Sequence, residues 1–327
     1  MYGLKKQMNR ITGSQALLLI ISILVAVIIF SIASPGFLAF SSFTTIIETV
    51  AIIMILSFGQ TFMLTAGEWD ISVGSLLSVP TVVIAVLLQS QFSMLSASII
   101  GFLITVLLCL ISAVLTVIVK IPSFIATLGV NGIAMGLSRI IANNNPIKVE
   151  DKALLNIFGG QINFGPYMIP VVIMWIAIMF FAAIILMNRT QIGRNIQCVG
   201  DNRNAAILYG INVNKTIIIT FIINAVFIFF AAMIMVSRST FATPGEGESY
   251  TLSAIVAAII GGTSIQGGKG SIKGAFLGAF FVGCISYGLF RLSVNAWTGG
   301  IIAGIVIIIV LSISSLNQKR KFEMERS

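Results

Sequence analysis

The chain has 327 residues, of which 57% are apolar and only 9% charged, against roughly 25% charged in an average soluble domain; a soluble globular protein is excluded. The net charge of +9 would suggest nucleic acid as the partner of a soluble protein, but here the positions of the charges matter more than their sum, and no nucleic acid is expected. Cys109, Cys198 and Cys284 are scattered and there is no histidine, so neither a disulfide framework nor a metal site is indicated.

At the N-terminus Lys5, Lys6 and Arg10 precede an apolar run from Ala16 to Ala33. The run is longer than a signal-peptide core, which predicts an uncleaved first span. Apolar windows then predict helices near 15–34, 43–65, 72–89, 95–118, 122–142, 167–188, 216–237, 251–266, 274–292 and 297–316. The expected fold is all-α: a polytopic integral membrane protein of about ten transmembrane helices forming one domain over 1–327, with irregular segments near 67–75 and 261–273. Of its 19 basic residues, only Arg139, Lys148, Lys152, Arg238 and Arg291 fall on the outer side when the N-terminus is placed inside. That asymmetry satisfies the positive-inside rule and puts both termini in the cytoplasm. Two loops are long enough to act: 143–166 outside, with Pro146 and Pro166, and 189–215 inside.

In the first irregular segment, Gly67-Glu68-Trp69-Asp70-Ile71-Ser72-Val73-Gly74-Ser75 interrupts an apolar stretch. Carboxylates this close to hydrocarbon need a cavity, a partner or the aqueous boundary. Asp70 and Ser72 suit the N-cap of the following helix. Equally, an aromatic face beside carboxylate acceptors at a helix break suits a polyhydroxylated solute. Glu48 and Asn131, inside spans, fit either a solute path or an interface between helices; Gln60 and Asn224 are expected to bond across helices.

The inner loop carries helix punctuation: Asn202 can cap a short helix through Ala205 and Ala206 to Tyr209, and Gly210 suits the left-handed position that ends it. Such a helix is either a solvated connector or a docking element that offers Ile207, Leu208 and Tyr209 as an apolar knob. Further on, Gly261-Gly262-Thr263-Ser264-Ile265-Gln266-Gly267-Gly268-Lys269-Gly270-Ser271 resembles a phosphate-binding loop only superficially. That pattern requires glycine where Thr263 stands and Ser or Thr where Gly270 stands, so the chain carries no recognisable ATP site. Gly270, Gly274 and Gly278 recur every four residues, a face that lets helix backbones pack closely, as does Gly132 with Gly136. With no nucleophile, base or metal constellation in the sequence, an enzyme is not expected.

These residues are similar to a known family. Thr65 to Ser75 resembles the "TGGIDLSVGS" segment of the ribose-type (monosaccharide) permeases of ABC importers, and Gly261 to Gly274 resembles their "GGTSLxGGKGSIxG" segment. Between them, Gly193 to Val213 resembles the "GRxxxAxGGNxxAAxxxGINV" loop. The resemblance implies an inner-membrane permease that moves ribose or a similar sugar, paired with a second copy or a related permease. It implies ATP and Mg on two ABC ATPase subunits or a fused tandem ATPase, and a sugar-binding protein outside. It further implies that Gly200, Asp201, Asn202, Ala205, Ala206 and Gly210 form the element seated in the ATPase, with alternating access driven from there. Glu68 and Trp69 replace the family's Gly-Ile, and Asp201 replaces a glycine; autoinducer-2 and nucleosides therefore stay open as solutes. The rival class is a gradient-driven carrier using Glu48, Glu68 and Asp70.

Overall fold

The computed structural model describes residues 2–34, 36–165 and 167–294, together with 301, 304 and 305. Among the described residues up to 294, twelve α-helices follow in chain order: α1 Tyr2–Ala33, α2 Phe40–Thr65, α3 Val73–Gln89, α4 Met94–Val117, α5 Ser123–Ile141, α6 Lys152–Gly159, α7 Val172–Arg189, α8 Gln191–Asp201, α9 Arg203–Leu208, α10 Val213–Ser239, α11 Tyr250–Ile260 and α12 Ile272–Arg291. Short strands β1 Ile147–Lys148, β2 Gln161–Phe164, β3 Tyr167–Pro170 and β4 Phe241–Ala242 decorate one end of the bundle. β2 and β3 form an antiparallel hairpin, and β1 pairs with β4.

The helices α2, α3 and α10 make the interior. From Val50 to Thr65 every side chain of α2 is buried, against α10, α12, α11 and α7. α1, α4, α5 and α7 show the reverse pattern, with large apolar residues such as Leu24, Leu103, Leu128 and Phe181 exposed. In a chain of this composition that outer apolar shell is the surface presented to lipid. Because lipid gives helices no hydrophobic reason to associate, close packing has to hold them. Gly261 and Gly274 meet backbone to backbone, with no room for a Cβ on either, and Gly278 lies against the Ala257 carbonyl.

Seven described helices are long and apolar enough to cross a membrane, so the expected count of about ten is not reached among the described residues. α3 is apolar but has 17 residues, and α11 has only 11. The reason for the second lies in its flanks. Before α11 the chain leaves β4 in non-helical form through Gly245 and dips beside α3, where the Gly247 amide donates to Ser78 Oγ at 3.3 Å and the Gly74 amide to Thr251 Oγ1 at 3.1 Å. After it, Gly261 and Gly262, the latter at φ +95°, end the helix. The predicted span at 297–316 lies almost wholly outside the described residues.

The end of the bundle opposite the strands carries three segments that are far apart in sequence: the turn 66–72, the segment 190–212 and the glycine loop 261–271.

Candidate functional site

The turn 66–72 forms because α2 runs into Gly67, whose φ of +76° suits glycine. The Glu68 amide folds back onto the Met63 carbonyl at 3.0 Å. Asp70 is buried and organises the remainder of the turn. Its Oδ1 accepts the Ser72 amide at 2.8 Å and the Ser72 hydroxyl, while its Oδ2 accepts Asn224 Nδ2 at 2.7 Å. Gln60 Nε2 donates to the Asp70 carbonyl at 3.0 Å. Ser72 is the residue before α3 and its own side chain makes no capping bond. Asp70 thus shapes the entry to α3 two residues ahead of it.

The same turn is tied sideways to α5. The Trp69 amide donates to Ser123 Oγ at 3.0 Å, and the Ile71 amide to Thr127 Oγ1 at 3.3 Å. Glu68 is buried and ion-paired with Arg203, the first residue of α9. Burial pushes the Glu68 carboxyl up from its ordinary value, opposed by hydrogen bonding from Ser123 and by the charge and hydrogen bond of Arg203.

The segment 190–212 is built by three side-chain caps. Thr190 accepts from the Gly193 amide at 3.2 Å to start α8, Asn202 from the Ala205 amide at 3.0 Å to start α9, and Asn212 from the Lys215 amide at 2.9 Å to start α10. Gly210, at φ +77°, ends α9. Ala206 is buried on the underside, whereas Leu208 is 88% and Tyr209 86% exposed.

The third segment locks onto the other two. The Gly268 amide donates to the Thr65 carbonyl at 2.9 Å, and Gly200 is wedged between that carbonyl and the Gly268 nitrogen. A Cβ at Gly268 would fall 2.9 Å from the Asp201 side chain, and one at Gly270 would strike Thr65 Oγ1. Gly262, Gly267 and Gly268 all have positive φ. Ser271 then caps α12 through the Gly274 amide at 3.0 Å.

The structure therefore brings together Glu68, Asp70, Ser72, Gly200, Asp201, Asn202, Gly267, Gly268 and Gly270, with Trp69 part-buried at the same junction. It does not bring in Glu48, which sits part-buried on α2 about 25 Å of helix away from Thr65. Asn131 lies part-buried on α5, about 12 Å along that helix from Ser123. Three residues of the junction are not singled out by sequence: Arg203, Ser123 and Thr127. The signal that points to the first is the demand of Glu68, at the edge of an apolar run, for a cation.

A cavity of about 580 Å³ lies elsewhere, between α1, α2, α7 and α12, lined by residues such as Phe43, Met54, Phe180 and Phe276. Its lining is almost wholly apolar and offers no hydrogen-bonding set for a polyhydroxylated solute.

Comparison with known proteins connects the junction to a family. The profile described as "Branched-chain amino acid transport system / permease component" matches residues 42–311, a stretch that contains all three segments. The chain is a member of this permease family. The permease is 32% identical over 292 residues to the ribose import permease protein RbsC of Bacillus subtilis (strain 168), covering 89% of this chain and 90% of that one. It is 29% identical over 318 residues to the galactose/methyl galactoside import permease protein MglC of Escherichia coli (strain K12), covering 92% and 94%. It is 27% identical over 303 residues to the autoinducer 2 import system permease protein LsrC of Photorhabdus luminescens, covering 92% and 90%. No solved structure matches.

Proposed function

We propose that this permease is the membrane subunit of an ATP-driven importer for a simple sugar, ribose or a close relative, in a bacterial inner membrane. One observation carries the reading: the three family-like segments meet at one end of the bundle, where α9 presents Leu208 and Tyr209 outward on a fixed base. A two-turn helix with exposed apolar residues is the kind of anchor that a partner's pocket accepts. α9 is then the cytoplasmic coupling helix, both termini are cytoplasmic, and the strand-bearing end faces outward to receive sugar from a binding protein. The whole chain 1–327 acts as one transmembrane domain in which α3 and the stretch 241–260 each complete a crossing despite their short helices. Two ATPase subunits, or one fused tandem ATPase, bind the Mg and ATP.

A second copy of the permease covers α5, where a Cβ added at Gly129, Gly132 or Gly136 would meet nothing within 4 Å. The solute path runs between the copies along this face. Trp69 and Asn131 border it, Glu48 stands toward its outer mouth, and Glu68, Asp70 and Ser72 lie buried beneath, holding the turn. ATP-driven movement of α9 tilts the spans between outward- and inward-open states.

The test is purification of the tagged chain from its own host in mild detergent, followed by identification of co-purifying polypeptides. A near-stoichiometric P-loop ATPase is the expected companion, and uptake by inverted and right-side-out vesicles of a radiolabelled ribose, galactose and autoinducer-2 panel then identifies the solute. A chain that emerges alone even after crosslinking overturns the reading.

A further inference from the structure

The coupling helix has to reach the spans by some physical route, and the permease reading leaves that route open. α9 has six residues and packs chiefly on α8 and α10. α5 packs on α3 and α4 and does not touch α9 in any extensive way. One polar chain bridges the gap between them. Arg203, on the first turn of α9, pairs with Glu68, which is 135 residues away in sequence. The backbone of the turn bearing Glu68 is pinned to α5, through Trp69 to Ser123 at 3.0 Å and Ile71 to Thr127 at 3.3 Å.

We propose that the Glu68–Arg203 ion pair is the positioning link that carries displacement of the coupling helix into α5. The asymmetry of its two ends suits that task. The Glu68 side chain is 4% exposed and the Arg203 side chain 51%, so the cation belongs to the solvated element and the carboxylate to the packed one. When α9 shifts, a buried carboxylate left without its cation is strongly disfavoured. The turn 66–72 follows Arg203 instead, and its bonds to Ser123 and Thr127 draw the start of α5 with it. Gly67 gives the turn its bend. Arg203 and Glu68 are thus positioning residues: neither need contact solute or nucleotide.

This inference rests on the proposed importer, and the test separates the two. The intact assembly, co-purified with its ATPase and placed in lipid nanodiscs, carries spin labels at Leu128→Cys on α5 and Phe181→Cys on α7, both on exposed positions, after the exposed Cys198 has been changed to serine. The interlabel distance is measured with and without Mg-ATP, alongside ATP hydrolysis. In the parent assembly the distance changes with nucleotide. Arg203→Gln and Glu68→Gln each abolish that change while hydrolysis continues, Arg203→Lys preserves it, and the double glutamine variant is no worse than either single one. A nucleotide-dependent change that survives in Arg203→Gln overturns the link, as does a parent distance that ignores nucleotide. Hydrolysis that falls in step with the distance change also overturns it, because the pair would then serve docking alone. Failure of any ATPase to co-purify with the parent chain defeats the importer reading itself, before a variant is made.

Discussion

Gly200 and Gly210 lie ten residues apart in one segment, and replacing each with alanine tests two different physical demands. At Gly200 the backbone conformation is ordinary, but a Cβ would sit 2.7 Å from the Gly268 nitrogen and closer still to the Thr65 carbonyl oxygen. Both obstacles are backbone atoms, neither of which can rotate aside, so the three segments must separate. Overpacking typically costs about 1–3 kcal/mol, and a collision with two backbones belongs at the upper end, about 3 kcal/mol. At Gly210 a Cβ meets nothing within 4 Å, but φ is +77°; alanine there costs roughly 1–2 kcal/mol of left-handed strain, confined to the exposed end of a six-residue helix. At roughly 2–4 °C per kcal/mol for chains of 150–250 residues, Gly200→Ala lowers the midpoint of thermal unfolding in detergent by about 6 °C or more. Gly210→Ala leaves it within about 2 °C, because α9 frays without opening the bundle. The assay is heating of a fluorescent fusion followed by size-exclusion chromatography. A Gly200→Ala midpoint equal to the parent's, or a larger fall for Gly210→Ala, would refute the packing argument at the junction.

Leu208→Glu places a charge on a position that is 88% exposed; membrane abundance stays at the parent level, and ATPase recovered on the tagged permease falls about thirtyfold, the equivalent of a 2 kcal/mol hot spot. Asn202→Ala removes the acceptor for the Ala205 amide at 3.0 Å, costs about 0.5–2 kcal/mol locally, and speeds amide exchange over 203–208 while α8 and α10 keep their protection. Asp70→Asn impairs sugar uptake far more than Asp201→Asn, since Asp70 is buried and its carboxylate accepts from Ser72 and Asn224, whereas Asp201 is exposed. Equal losses in parallel uptake assays would remove that ranking.

The features legible in sequence share a physical origin: each is governed by neighbours within one or two helical turns. Hydropathy windows find α1, α2, α4, α5, α7, α10 and α12 because each presents enough apolar residues in one unbroken helix. Asn202 and Gly210 mark α9 because capping and left-handed conformation depend on residues a few positions away. Windows fail where length and helicity part company. The stretch 251–266 has an apolar composition but loses its helix at Gly261, the connection 143–166 hides α6 and β2, and the helix expected from 167 starts only at Val172 because Tyr167–Pro170 is the second strand of the hairpin. At the junction, Glu68 is recognisable as a group needing a partner, while the identity of that partner depends on folding across 135 residues. The contact of Gly200 with Thr65 and Gly268 is equally invisible, since the glycines signal permitted approach without naming what approaches.

The three-way contact also sets terms for rebuilding this protein. Exchanging the segment 190–212 for that of a relative is the obvious way to redirect the permease to another ATPase. Such a graft imports the relative's residue at position 203 but leaves Glu68 in place, and any side chain it adds at position 200 presses on Thr65 and Gly268. A functional chimera therefore has to transplant the turn 66–72 and the loop 261–271 in the same operation. What looks like an interchangeable docking loop is one third of a unit of inheritance, scattered over two hundred residues of chain.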